Sequence, residues 1–326
     1  MTASICLFTY NGARYLKPLL DSLAGQTQLP DELLVGDDCS SDDTLEIVRS
    51  FATEAPFPVE ILVNERRLGP TCNLGQLLAR ASGDILFPCD QDDIWAPEKI
   101  DRLSRALDES PDHAAAICNS SFIDATGAPL PGSLFERVGQ ATLTRELVAR
   151  ASYDAMVQVF RHNIAASHAL AVRRSALDLV LPFQPSWYAD WWIALVLSAT
   201  TGITVLDDCL VAYRLHDSNT VGMPLEAGRL ADRTTPDMAL GFAVRADMLR
   251  AAITRVCELR PEILTPPHRF VLENLAEHLR TRGELPPSRG LRVLPVLREA
   301  LSGRYRQFSN GWRSAVVDVL RAADTL

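Results

Sequence analysis

Short apolar runs alternate with segments of helical period through residues 4–107. Ser4–Thr9, Glu32–Gly36, Val59–Val63 and Ile85–Cys89 read as strands. Between them Leu16, Leu19, Leu20 and Leu23 recur at helical spacing, as do Leu45, Val48 and Phe51, and then Leu74, Leu77, Leu78 and Ala81. Ile100, Leu103 and Leu107 mark a further helix that begins near Pro97. Ser40-x-x-Asp43 predicts a capping box, and Gly83 predicts a C-cap. Strands alternating with helices imply a mostly parallel, Rossmann-like α/β sheet covered on both faces. In such sheets ligands bind beyond the carboxyl ends of the strands. Three of those ends carry Thr9-Tyr10, Asp37-Asp38 and Asp90-Gln91-Asp92-Asp93.

The pattern loosens after residue 114. Ala114–Cys118, Ala169–Val172 and Val211–Leu215 read as strands, Asp124–Gly127 as a turn, and Trp187–Leu197 as a helix entered at Asp190. Past residue 222 only helical stripes remain, such as Leu249, Ala252, Ile253 and Val256, or Leu272, Leu275, Ala276 and Leu279. Gly222, Pro224, Gly228 and Pro236 cluster between the two regimes, so a domain of residues 1–222 and a helical region of residues 223–326 are expected.

The run from Gly83 to Trp95 is the most informative. An apolar strand enters three carboxylates, Asp90, Asp92 and Asp93. Like charges this close repel, and a hard divalent cation, Mg²⁺ or Mn²⁺, compensates them while bridging to a phosphate. A helix cap alone would need one Asp, not three. Asp37-Asp38 can accept hydrogen bonds from a base or ribose, although in isolation an N-cap and turn cluster with Ser40 and Ser41 is the stronger reading. Asp190, in Trp187-Tyr188-Ala189-Asp190-Trp191-Trp192, is either a general base among indoles or a plain N-cap. His216, just after a strand, and Arg214 can meet phosphate or metal, although a lone His more often serves structure alone.

Composition narrows the partners. Net charge is −9, which argues against nucleic acid. Residues 286–326 carry seven Arg against Glu299, Asp318 and Asp324, so the tail is basic on an acidic chain. That bias suggests contact with an anionic surface; solvated arginines on a helical bundle are the alternative. Seven scattered cysteines without a C-x-x-C predict reduced thiols and a cytoplasmic setting. No signal peptide or transmembrane pattern is expected from the sequence.

The segments Cys6–Gly12, Gly25-Gln26-Thr27, Val35–Thr44, Gly83-Asp84, Asp90–Trp95, Asp190-Trp191-Trp192 and Tyr213–Asn219 resemble, in this order, the inverting family-2 glycosyltransferases of the GT-A fold. The Asp-Gln-Asp-Asp-Ile-Trp form, the Arg-x-His-x-x-Asn segment and the tail Gly303–Arg313 are similar to the bacterial rhamnosyltransferase-like subgroup. The resemblance implies that Thr9 and Tyr10 line the nucleotide pocket, that Asp37 contacts the base with Asp38 close by, and that Gly69 and Asn73 lie near the donor. It implies Asp92 as main metal ligand, supported by Asp90, with His216 in reach of metal or diphosphate, and Asp190 as the base that deprotonates the acceptor. The subgroup often has Asp where Asn119 stands and Gly where Ala166 stands, which bears on sugar and acceptor choice.

The expected reaction is therefore inverting, metal-dependent transfer of a sugar, rhamnose among the candidates, from dTDP-rhamnose or a UDP- or GDP-sugar to a glycan or lipid-linked glycan. The enzyme could sit peripherally at the inner membrane face. A nucleotidyltransferase on a similar sheet and an inactive nucleotide-sugar-binding module are the competing readings. The single Gly of Tyr10–Arg14 speaks against the first.

Overall fold

A computed structural model describes residues 1–138, 147–161, 165–217, 219 and 241–320. The chain divides into two compact units, Met1–Arg229 and Leu230–Leu326. The boundary expected at 222, with Gly222, Pro224, Gly228 and Pro236, lies outside the described residues, as do Asn163, Ser218 and Asp324.

The first unit contains β1 (Ala3–Thr9), α1 (Ala13–Ala24), β2 (Glu32–Asp37), α2 (Thr44–Glu54), β3 (Val59–Val63), α3 (Pro70–Arg80), β4 (Ile85–Cys89), β5 (Ile94–Trp95) and α4 (Lys99–Asp108). It continues with β6 (Ala115–Ile123), β7 (Pro129–Ser133), α5 (Leu134–Val138), α6 (Tyr153–Arg161), β8 (Leu170–Arg173), α7 (Leu177–Val180), α8 (Ala189–Thr200) and β9 (Ile203–Arg214). The strands form one sheet in the order β3-β2-β1-β4-β8-β6-β9-β5, with β7 on β6. β3, β2, β1 and β4 run parallel, and the apolar sequences of β1, β2 and β4 follow from burial on both faces, whereas β3 is a half-buried edge strand. β8 is antiparallel to both β4 and β6, β6 and β9 are parallel, and β5 is antiparallel to β9. This is the GT-A arrangement, a mixed sheet flanked by helices. Leu16, Leu19, Leu20 and Leu23 of α1 and Ile100, Leu103 and Leu107 of α4 are buried in one core with Ile5, Leu7, Phe87 and Cys89.

Two local expectations are corrected. Ser40 does not cap α2: its hydroxyl donates to Asp37 Oδ2, and Asp42 Oδ1 instead accepts the Thr44 amide at 3.1 Å. Gly83 is not the C-cap of α3, which ends at Ala81 in extended conformation. Gly83 is needed for close approach, because a Cβ there would lie 2.8 Å from the Ser4 nitrogen.

The second unit is all helix among the described residues: α9 (Phe242–Leu259), α10 (Pro266–Gly283), α11 (Arg289–Leu301), α12 (Arg304–Phe308) and α13 (Trp312–Leu320). Leu285, Val296, Tyr305 and Ala315 form a small apolar core around buried polar pairs. His278 Nδ1 lies 2.8 Å from Glu299 Oε1, and Arg282 Nε donates to Asp318 Oδ2 at 2.6 Å. Arg292, fully buried, donates to the Pro286 and Pro287 carbonyls. No helix among the described residues is long and apolar enough to cross a membrane.

Candidate active site

β4 runs parallel to β1 and delivers Asp90, Asp92 and Asp93 at its carboxyl end. The two-residue β5 pairs with β9 and folds this acidic loop against the end of β9. Arg214 secures the join: its amide donates to Asp93 Oδ1 at 2.9 Å and its Nε to the Asp92 carbonyl at 2.7 Å. His216 Nε2 then lies 2.8 Å from Asp92 Oδ2. Asn219 holds the His216 turn, accepting the His216 amide at 2.6 Å and extending its own amide to Asp92 Oδ2 at 3.4 Å. His216 and Asp92, far apart in sequence, thus meet.

Asp190 opens α8 and points into the same region. Ser167 donates its hydroxyl to Asp90 Oδ2 at 2.7 Å and its amide to Asp190 Oδ2 at 3.2 Å. The Trp191 amide donates to Asp190 Oδ1 at 2.7 Å, and Thr71 Oγ1 donates to the Trp187 carbonyl, tying α3 to the approach to α8. Tyr213 lies among these acids: burial first, then Asp93, Asp90, Asp92 and Asp190, raise its phenol above its ordinary value.

Below the loop is a buried layer the sequence did not single out. His168 stacks on Tyr213 with ring centroids 4.6 Å apart; its Nε2 is 3.0 Å from Ser120 Oγ and its Nδ1 is 3.3 Å from Asp93 Oδ2. Lys99, fully buried, donates to the His168 carbonyl at 2.6 Å and lies over the Trp95 ring. Burial lowers the Lys99 amine to about 8 and the His168 imidazole to about 3. Burial and then Asp92 push Asp90 up to about 7, and burial, Asp92 and Asp90 hold Asp93 well above the carboxylate range.

Burial and then mutual repulsion disfavour the charged forms of Asp90 and Asp93, and among the described residues Asp93 Oδ2 is a buried oxygen without a hydrogen-bond partner. Clustered carboxylate oxygens suit Mg²⁺ or Mn²⁺. Among the described residues, Asp90, Asp93 and His168 offer ligand atoms all within 4.8 Å of one another, a possible metal site. Asp90 is common to this group and to the Asp90, Asp92 and His216 set expected from the sequence. Asp93 and His168 are buried, whereas the side chains of Asp90 and Asp92 are 26% and 15% exposed, so the latter pair can meet a ligand from the cleft.

The ends of β1 and β2 form the neighbouring wall. Asp37, fully buried, accepts hydrogen bonds from Thr9 Oγ1 at 3.1 Å and the Ser40 amide at 2.9 Å. Asp38 accepts the Leu68 amide at 2.7 Å and the Gly69 amide at 2.8 Å, so it fixes the loop before α3. Gly69 has φ +83°, a left-handed region where glycine is favoured. Asn73 donates to the Gly36 carbonyl at 2.7 Å, an internal contact. Tyr10 is partly exposed under the Arg67 guanidinium, and its amide donates to Gln91 Oε1 at 2.8 Å. Asn119 Oδ1 accepts the Ser120 and Phe135 amides. Ser167, His168, Lys99 and Asn219 hold the site together without having been singled out as site residues, alongside Arg214. Ser167 and His168 adjoin Ala166, and Asn219 belongs to the His216 segment, so their only signal was proximity to recognised motifs.

The fold and the acidic strand end define a GT-A glycosyltransferase domain. The model of "Glycosyl transferase family 2" matches residues 4–178, and the chain belongs to that family. An uncharacterized glycosyltransferase of Nostoc sp. is 25% identical over 224 residues, covering 67% of this chain and 66% of that relative. The match thus spans just under two thirds of the Nostoc protein. The crystal structure of Staphylococcus aureus TarS residues 1–349 in complex with UDP-GlcNAc has a TM-score of 0.62 at 16% identity, covering 100% of this chain and 89% of that one. The mannosyltransferase PcManGT from Pyrobaculum calidifontis, in complex with GDP-Man and Mn²⁺, has a TM-score of 0.56 at 16% identity, covering 97% and 85%. Membership of that family favours sugar transfer over the nucleotidyltransferase reading.

Proposed function

We propose that the chain is an inverting, metal-dependent glycosyltransferase. It moves a sugar, with rhamnose the first candidate, from a nucleoside-diphosphate donor to a hydroxyl of a glycan or lipid-linked glycan. The observation that carries the reading is the meeting of Asp190 with the acidic end of β4 through Ser167. Relatives of the same fold solved with UDP-GlcNAc and with GDP-Man and Mn²⁺ support a nucleotide-sugar donor and a divalent metal. The rhamnosyltransferase-like motifs support dTDP-rhamnose alongside UDP- and GDP-sugars. Residues 1–222 form the transferase domain in this reading, and the basic helical region 223–326 brings it to the inner face of a membrane.

Thr9, Tyr10 and Asp37 frame the nucleotide, while Asp38, Gly69 and Asn73 shape the loop beside it. Asp92 and Asp90, with His216 beside them, would hold a Mg²⁺ or Mn²⁺, which would supply charge neutralisation to the departing diphosphate. Asp190 accepts the proton of the acceptor hydroxyl, whose oxygen bonds to the anomeric carbon as the bond to the diphosphate breaks. Attack from the face opposite the nucleotide inverts the configuration.

Release of free nucleoside diphosphate from dTDP-rhamnose, UDP-sugars and GDP-sugars, with Mn²⁺ and a glycan acceptor, tests the class. Asp190→Asn should keep donor binding and lose about 10²–10⁴ in turnover. Transfer at the parental rate by that variant would remove Asp190 as the base, and no release from any donor would leave an inactive binding module.

A further inference from the structure

The second unit exposes apolar side chains in a regular pattern. On α11, Leu291, Leu294, Leu297 and Leu301 are 67%, 56%, 51% and 79% exposed. Their spacing of three or four residues puts them on one side of the helix. On α13, which packs against α11, Trp312 is 72% and Val316 45% exposed. The opposite sides of both helices are occupied, with Val296 and Ala315 in the small core.

The exposed charges of residues 286–320 have one sign. Between residues 286 and 320 the only carboxylates are Glu299 and Asp318, and both are buried. Glu299 pairs with Arg304 at 3.2 Å and lies beside His278; Asp318 pairs with Arg282 at 2.6 Å and accepts the Tyr305 hydroxyl at 2.6 Å. Arg289, Arg298, Arg306 and Arg313 remain exposed, and among the described residues none of them makes an ion pair. Folding therefore turns both acids of this segment inward and leaves its outer charge positive, on a chain whose net charge is −9.

We infer that α11 and α13 form a docking surface for an anionic phospholipid bilayer, lying in the interfacial plane. The leucines and Trp312 would enter the headgroup–acyl boundary, and the arginines would meet lipid phosphates. Their long aliphatic stems allow this while the guanidinium groups stay at the polar level. A second copy of this chain fits worse: a two-fold contact through the same face brings like charges such as Arg298 and Arg313 together. The inference deepens the membrane contact proposed above. It is read without donor or acceptor, so its failure leaves sugar transfer standing.

The test is flotation of the full chain with phosphatidylcholine vesicles and with vesicles containing phosphatidylglycerol. The chain should float with the anionic vesicles only, and less so as salt rises. Arg298→Gln with Arg313→Gln should weaken binding roughly fivefold per arginine. Leu294→Asp with Leu297→Asp, at exposed positions, should weaken it more than about tenfold with the circular dichroism spectrum unchanged. Three outcomes overturn the inference: no flotation with either vesicle, binding unaffected by the leucine substitutions, or a dimer in solution that the leucine substitutions dissociate.

Discussion

Asp90 and Asp190 are joined through one residue: the Ser167 hydroxyl donates to Asp90 Oδ2 at 2.7 Å while its amide donates to Asp190 Oδ2 at 3.2 Å. The acid expected to help hold a metal and the acid expected to take a proton therefore share a rigid spacer. Ser167→Ala keeps the amide to Asp190 and removes the hydroxyl from Asp90. One lost hydrogen bond to a charged acceptor should weaken divalent-cation affinity by roughly tenfold, about 1.4 kcal/mol. Calorimetric titration of Mn²⁺ reads this directly, and unchanged affinity would show that the hydroxyl does not support Asp90.

Two candidate ligand sets for a divalent cation share Asp90. Asp92, with His216 beside it, is partly exposed, whereas Asp93 and His168 are buried. Asp92→Ala should abolish most Mn²⁺ binding and make nucleotide-sugar affinity insensitive to metal. His168→Gln should leave Mn²⁺ affinity within about threefold, since that imidazole is committed to Ser120 and the Tyr213 ring. The reverse ranking in a metal titration would place the ion in the buried set.

Gly83 should not tolerate a side chain. A Cβ there would meet Ser4 Oγ at 2.5 Å and the Ser4 nitrogen at 2.8 Å, and backbone gives way less readily than a flexible side chain. Gly83→Ala should cost about 1–3 kcal/mol, the scale of overpacking a tight contact. Urea unfolding measures it; a loss under about 0.5 kcal/mol would mean that β1 and β4 separate easily at this point.

Why Gly83 looked like a helix cap shows what a linear sequence encodes. Strands β1 to β4 and the helices between them were legible, because each buries a continuous apolar run or a period-3.6 stripe. The acidic loop was legible as well, since Asp90, Asp92 and Asp93 conflict with the strand they follow. β9 was seen only near its end: Asp207 and Asp208 interrupt its apolar pattern, and its pairing with β6 shifts register near Asn119. β5 has two residues and carries no period at all. Ser167, His168 and Lys99 act through contacts far apart in the chain, such as Lys99 to the His168 carbonyl, for which spacing offers no signal.

The second unit should lose stability as pH falls through the histidine range. His278 is buried between Glu299 and Ser309, and burial lowers its pKa below the ordinary 6.5 although Glu299 opposes the shift. Between the lowered value and 6.5 the unfolded chain binds a proton that the folded chain does not, so stability rises with pH there and is complete above 6.5. One proton limits the slope to about 1.4 kcal/mol per pH unit. His278→Gln retains an amide able to bond either neighbour but cannot titrate. Urea midpoints at intervals from pH 5 to pH 7 should therefore fall toward acid for the parent and flatten for the variant. Identical slopes for both chains would show that another group sets the acid sensitivity.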